Sequence, residues 1–68
     1  MDRLTPARQG DSGDDIRWVQ MVLRIVPATG VFDADTTSRL RGFQMARGFE
    51  PNGVLTPETL AELQRVFG

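Results

Sequence analysis

The sequence lacks the side chains on which most catalytic and metal sites depend. Its 68 residues include no cysteine, histidine or tyrosine, and every basic residue is arginine. Without cysteine there is no disulfide and no thiolate metal site, and without histidine the commonest general base and metal ligand is missing. A nucleophilic serine would therefore lack its usual base. This composition indicates a protein that is not an enzyme and carries no cofactor.

Carboxylates are the remaining candidates for chemistry, and they occur in two groups, Asp11 with Asp14 and Asp15, and Asp33 with Asp35. A calcium loop of the EF-hand type needs alternating ligands and a terminal glutamate, which neither group has. Both groups fall at predicted helix starts, where caps and the helix dipole favour acidic residues. We therefore expect no catalytic residue and no metal site.

The charge balance and the apolar pattern exclude two classes of partner. The net charge of −1 does not supply the basic surface that binding to nucleic acid requires. No apolar run is long enough to span a membrane, so we expect neither a nucleic-acid nor a membrane partner. The stretch Met1–Leu4 has no apolar core of the kind that a secretory signal needs. We therefore expect the chain to be made in the cytoplasm without a signal peptide.

An internal repeat organises what is present. Gly30-Val31-Phe32, with Thr36 after it, matches Gly53-Val54-Leu55, with Thr59 after it, at the same spacing. Each copy predicts a tight turn, two apolar residues, a helix cap and a helix. Two copies are too few for a solenoid. We name residues 28–36 the first corner and residues 51–59 the second corner of one small domain.

The helix signals predict an all-α fold, a compact three-helix bundle. The first helix is expected from about Asp14 to Val26, with Ser12 as its N-cap and Pro27 ending it. The second is expected over residues 34–47, with Asp33 as its cap, and the third begins after the cap Thr56. Residues 1–9 are predicted to form an N-terminal strap, pinned by Leu4 and Ala7, and residues 10–68 the domain.

Helical spacing divides the apolar residues of the first helix between two faces. One face should be core, and it carries Ile16, Val19, Leu23 and Val26. The residues expected to be buried against this face from the rest of the chain are Val31, Phe32, Leu40, Phe43, Leu63, Val66 and Phe67. The opposite face carries Trp18, Met21 and Ile25. Either the strap or a C-terminal segment covers this second face, or it is an interface with another protein.

Three groups of residues resemble one known family. Gly10-Asp11-Ser12-Gly13 with Ile16, Val19-Gln20 and Leu23 resembles its opening. Gly30, Phe32, Thr36, Leu40 and Phe43-Gln44 resemble its central signature, and Gly48, Gly53-Val54, Pro57, Thr59 and Leu63 its closing part. The family is the peptidoglycan-binding domain found beside bacterial and phage cell-wall hydrolases. The resemblance covers about residues 7–63.

The resemblance implies a non-catalytic domain that binds the glycan or the stem peptide of peptidoglycan at its corner loops. The expected ligand residues are Asp33, Thr36, Asn52, Gly53 and Thr59, with Arg39 or Arg47 available to a peptide carboxylate. Gln20 and Gln44 match family glutamines, and we expect both to be structural amides that hold loop backbone in place.

Several positions depart from the family pattern and motivate a second hypothesis. Thr29 and Asp33 replace the usual Asp and Gly of the first corner, and Asn52 and Thr56 those of the second. Trp18, Met21 and Ile25 stand where the family has polar residues. Because no hydrolase accompanies the domain in this sequence, the alternative is a structural or decoration protein of a phage particle, bound to a larger scaffold through these three residues. We expect the chain to act at the cell wall or in a virion.

Overall fold

The computed structural model describes residues 6–68, which form three helices: α1 (Asp14–Val22), α2 (Ala34–Ala46) and α3 (Pro57–Phe67). Within this range there is no strand, only two isolated antiparallel bridges, Ala7 with Leu55 and Ser12 with Val31. The all-α three-helix prediction is confirmed. None of the helices in residues 6–68 has the length and apolar character needed to cross a membrane.

Helix α1 ends at Val22 rather than at the predicted Val26. The residue that turns the chain out of the helix is Arg24, whose φ of 62° lies in the left-handed region. The Arg24 N–H donates to the Met21 carbonyl at 3.2 Å, and the Ile25 N–H donates to the Gln20 carbonyl at 2.8 Å. This pair of bonds is a Schellman motif. The helix is therefore closed by its own carbonyls before Pro27 is reached.

The predicted N-cap of α1 is wrong. Gly13 occupies the cap position, and no side chain accepts a hydrogen bond there. Ser12 instead forms the bridge to Val31, and the Gly13 N–H donates to the Gly30 carbonyl at 2.9 Å. The helix start is thus held by backbone pairing with the first corner, an interaction across the fold that local cap rules do not include.

The other two helices begin where the sequence predicts. The Asp33 carboxylate accepts the Thr36 N–H at 2.9 Å, and the Thr56 hydroxyl accepts the Thr59 N–H at 3.1 Å. Helix α2 ends in the same Schellman motif as α1, with the Phe49 N–H donating to the Gln44 carbonyl at 2.8 Å. Gly48 takes the left-handed position there, as expected of a C-terminal glycine.

The core joins all three helices to the two corners. Its buried apolar residues are Ala7, Ile16, Val19, Phe32, Leu40, Leu55, Leu60 and Leu63, with Trp18, Val22, Leu23 and Phe43 partly buried against them. Burial of Leu40 and Leu63, the pair related by the repeat, is confirmed. Phe43 also contacts Phe67, with ring centroids 6.3 Å apart.

Four of the residues predicted to be core are exposed. Val26 is 90% exposed because it lies beyond the end of α1, and Val31 is 48% exposed because its neighbour Phe32 takes the inward position. Val66 (44%) and Phe67 (49%) lie in the last turn of α3, past the reach of the core. For Val26, Val66 and Phe67 the spacing does not say where the covering layer stops, and for Val31 it assigns the wrong side of the chain.

The N-terminal segment connects the two corners. Ala7 is fully buried and exchanges two hydrogen bonds with Leu55, at 3.2 and 2.7 Å. Further along, the Gly10 N–H donates to the Phe32 carbonyl at 2.9 Å, and the Phe32 N–H donates to the Asp11 carbonyl at 2.8 Å. Pinning by Ala7 is therefore confirmed, whereas Leu4 lies outside the described residues.

The predicted second face of α1 does not form as one stripe. Ile25 lies beyond the helix end and is buried, and Trp18 packs partly buried against the core. Only Met21 is well exposed, at 60%. The interface predicted for these three residues stays a prediction. Of the three, only Met21 and the exposed part of Trp18 are available to a partner.

Candidate functional site

A buried amide organises the first corner. Gln20 is fully buried, and its Nε2 donates to the Val31 carbonyl at 2.8 Å and to the Thr36 hydroxyl at 2.9 Å. Its Oε1 accepts the Gly30 N–H at 2.8 Å. One side chain thus satisfies three groups that the turn would otherwise leave unpaired, which confirms the structural role predicted for this glutamine.

Gln44 does the same for the second corner. Its Nε2 lies 2.9 Å from the Val54 carbonyl and 3.1 Å from both the Thr59 hydroxyl and the Asn52 Oδ1. Its Oε1 accepts the Gly53 N–H at 3.0 Å. The two corners therefore share one internal hydrogen-bond pattern, each tied by a glutamine from the last turns of the preceding helix.

This pattern places the corner residues that the family resemblance singled out. Thr36 and Thr59 are buried, and so is Gly53; the two hydroxyls accept from the glutamines. Asp33 is exposed, and hydrogen bonds from the Thr36 N–H and hydroxyl lower the pKa of its carboxyl. Their role as ligand residues stays a prediction, and on this geometry only Asp33 and Asn52 present polar atoms at the surface.

An open cavity of about 250 Å³ lies beside the second corner. Two predicted ligand residues, Asn52 and Thr59, line it, whereas Asp33 and Thr36 belong to the other corner. The full lining is Gln44, Phe49, Glu50, Asn52, Thr56, Glu58 and Thr59. The cavity is smaller than the 300–1,000 Å³ of typical ligand pockets, so it accommodates one part of a large ligand and not an oligosaccharide.

The polar groups at the floor of the cavity are all hydrogen-bonded, and those at its rim are exposed. Gln44 and Thr59 form the buried floor, and in residues 6–68 no buried side-chain nitrogen or oxygen lacks a hydrogen-bond partner. Glu50, Asn52 and Glu58 are exposed at the rim. The Asn52 Oδ1 already accepts the Val54 N–H at 2.9 Å, which orients its Nδ2 group as the outward donor. A ligand would therefore meet rim groups.

The two arginines predicted to meet a carboxylate are placed away from the cavity lining. The Arg47 Nε lies 2.7 Å from the Glu62 Oε2, and the Arg65 Nη2 lies 2.6 Å from the same oxygen. Hydrogen bonds from Arg65 and Arg47 lower the pKa of Glu62 to about 2. The Arg39 Nη1 lies 3.4 Å from the Leu23 carbonyl. Arg47 is thus engaged in an ion pair that links the end of α2 to α3.

Sequence reasoning missed Glu50, Glu58 and the aromatic wall as site residues. A glutamate in the first turn of a helix is ordinarily explained by the helix dipole, and an aromatic residue beside a turn by packing. The signal that could have found them is acidic residues on both sides of Pro51-Asn52-Gly53. Such a turn brings its two flanks together, and with them their carboxylates.

Fold and site together define a three-helix domain with two glutamine-tied corners and a small polar cavity at one of them. The family model described as "Putative peptidoglycan binding domain" matches residues 12–63. Because the match spans most of the sequence, the chain belongs to this family, as its resemblance implied. Searches of curated proteins and of solved structures each found no match.

Proposed function

We propose that this chain is a non-catalytic module that binds peptidoglycan at the cell wall. The observation that carries the proposal is the family match over residues 12–63, since the family is one of binding domains. The lack of histidine and cysteine agrees with a role in binding, because the usual general base and thiol nucleophile are missing.

The second corner is the proposed contact surface. Its cavity combines a polar rim with the partly buried Phe49 ring, the mixture that suits a ligand with both polar and apolar parts. The Asn52 Nδ2 group can donate to acetyl, lactyl or peptide carbonyl oxygens. Asp33 and Arg39 are both exposed and are proposed as further contacts. They are secondary because they lie outside the cavity.

Nuclear magnetic resonance can locate the contact surface without any mutation. We expect peptidoglycan fragments solubilised by a muramidase to shift the amide signals of Glu50, Asn52 and Glu58. The matched internal control is the first corner, where Thr29 and Asp35 hold the equivalent positions. Larger shifts at Thr29 and Asp35 than at Asn52 and Glu58 would show that the ligand binds at the first corner, which contradicts the proposed surface.

Sedimentation with purified sacculi tests the function itself. A shallow site predicts weak binding by one module, so the monomer should sediment poorly and a tandem fusion of several copies should sediment well. Insoluble cellulose, which lacks both acetylated sugars and peptides, is the control matrix. Failure of the multivalent form to sediment with sacculi more than with cellulose contradicts a wall-binding role.

The second candidate function is that of a structural or decoration protein in a phage particle. The observation that favours it is Met21, 60% exposed beside the partly buried Trp18, since methionine and aromatic residues are enriched where proteins meet. Met21→Glu is the sharpest test, because an exposed residue can change without disturbing the core. Loss of incorporation into particles with an unchanged melting temperature supports this role, and normal incorporation opposes it.

A further inference from the structure

We propose that the second-corner cavity receives a primary ammonium group on an aliphatic stem, supplied by the free side-chain amine of an uncrosslinked stem peptide. This inference rests on the proposed function and names the part of peptidoglycan that enters the cavity. The acylated sugars of the glycan have no free amine to offer. A stem peptide whose diamino acid is not cross-linked has one.

The first step is that each polar group of the cavity floor already has a hydrogen-bond partner within the corner. Both hydrogens of the Gln44 amide point at acceptors within the corner, and its oxygen holds the Gly53 N–H. The Thr59 hydroxyl is paired with the Gln44 amide and with the Thr56 hydroxyl. The group that enters is therefore selected by the rim and by the wall.

The second step is the negative charge at the rim of the cavity. Glu50 and Glu58 both line the cavity, and no arginine pairs with either of them in the described part of the chain. The nearby carboxylate that does have cations, Glu62, engages both Arg47 and Arg65 and is not in the lining. Two unneutralised carboxylates at one small opening attract a cation and repel an anion.

The third step is the wall. The Phe49 ring is partly buried and lines the same cavity as the two carboxylates. An aromatic ring packs against methylene groups and attracts a cation to its face. A volume of about 250 Å³ is below that of typical ligand pockets, which favours a single amine-bearing side chain over a disaccharide. Charge, wall and size therefore select the same group.

The first corner shows what is missing when these residues change. Ile25 and Val26 follow Gln20 at the spacing at which Phe49 and Glu50 follow Gln44. The aromatic ring and one of the two carboxylates are thus absent there, and Asp35 is left as the counterpart of Glu58. The inference accordingly assigns the ammonium to the second corner alone.

Titration of the labelled protein with a lysine derivative tests the chemistry directly. The probe is Nα-acetyl-lysine methylamide, and its Nε-acetylated form, which has the same stem without the charge, is the control ligand. We expect the free amine to shift the signals of Phe49, Glu50 and Glu58, and the acetylated form to leave them in place. Equal shifts with both ligands, or with neither, overturn the inference.

Charge-removing variants test the assigned residues. Glu50→Gln and Glu58→Gln should each raise the Kd for the probe about two- to fivefold, the range expected for one exposed ion pair, and the double variant should raise it further. Asp35→Asn is the matched control, since it removes one negative charge from the first turn of α2 just as Glu58→Gln does from α3. An equal rise in Asp35→Asn shows a general charge effect and contradicts the assignment.

Chemically acetylated sacculi separate this inference from the proposed function. Acetylation converts the free amines of the stem peptides into neutral amides and leaves the glycan intact. Strong sedimentation of the multivalent protein with native sacculi and weak sedimentation with acetylated sacculi support both proposals. Equal sedimentation with the two preparations supports the wall-binding function and contradicts the assignment of the cavity to an ammonium group. Sedimentation with neither contradicts wall binding, and with it the assignment of the ammonium to a stem peptide.

Discussion

In the first corner Gln20 holds Gly30 and Thr36, and in the second Gln44 holds Gly53 and Thr59 through the same atoms. At the surface the two corners diverge, because Val26 and Asp35 stand where Glu50 and Glu58 line a cavity. Buried polar groups must all be paired, which leaves little freedom to change them. Exposed rim residues carry no such constraint, and it is there that the two copies of the repeat differ.

The largest expected effect comes from removing the two amides. Gln20→Leu and Gln44→Leu keep nearly the same volume but leave a glycine N–H and a carbonyl without a partner, while the threonine hydroxyl keeps its bond to Asp33 or to Thr56. Because each of these two unpaired groups costs about 1–3 kcal/mol, we expect each variant to lose about 2–6 kcal/mol of its free energy of unfolding. Urea titration in sucrose, which favours the folded state, measures the loss.

The same experiment can break the equivalence of the corners. Both side chains are buried, but Gln44 lies at the floor of the cavity, so water comes close to its partners. A loss for Gln44→Leu that falls below about 1 kcal/mol, the usual net value of a single hydrogen bond, would show that water replaces the amide. The two glutamines would then not be equivalent.

A smaller difference is expected between the two corner glycines. Gly30 and Gly53 both have positive φ, +83° and +73°, so alanine at either position carries left-handed strain of about 1–2 kcal/mol. At Gly53 an added Cβ would also lie 2.8 Å from the Thr37 Cγ2, whereas at Gly30 the nearest atom is the Gly13 oxygen at 3.4 Å. Gly53→Ala should therefore destabilise the protein more than Gly30→Ala.

Thermal unfolding of the two glycine variants checks this order. The variant Thr37→Ser removes the Cγ2 that the new methyl group would meet, so it should narrow the gap when combined with Gly53→Ala. Equal melting temperatures for Gly30→Ala and Gly53→Ala would show that the backbone relaxes and that only the shared strain matters.

The smallest expected effect distinguishes the two caps by pH. Asp33 caps α2 with a carboxylate, whereas Thr56 caps α3 with a hydroxyl that does not titrate in this range. Because the Thr36 hydrogen bonds lower the pKa of Asp33 from 3.8, this cap contributes fully above that value and is lost as the pH falls through its folded-state pKa. The Thr36 amide signal should titrate below pH 3.8, and the Thr59 signal should not.

The variant Asp33→Asn is the control for this titration, since it keeps an oxygen acceptor and removes the charge. Its Thr36 signal should stay constant over the same pH range. Movement of the Thr59 signal in step with that of Thr36 would mean that the whole domain, and not one cap, responds to acid.

Local chemistry and the repeat were enough to predict much of this protein. The caps Asp33 and Thr56, the stop at Gly48 and the burial of Leu40 and Leu63 depend on neighbours in the chain and on helical spacing. The family and the all-α fold follow from the same short-range signals. The composition also excludes an active site that depends on histidine or cysteine, because the sequence contains neither.

Tertiary structure decided what depends on distant partners. Ser12 gives up its cap role because the Gly13 N–H donates to the Gly30 carbonyl across the fold, and the first corner takes its shape from the Gln20 amide. The cavity exists because the second turn brings Glu50 and Glu58 to one opening, although they are separated in sequence. Hydrogen bonds between distant segments override local preference wherever a buried polar group would otherwise stay unpaired.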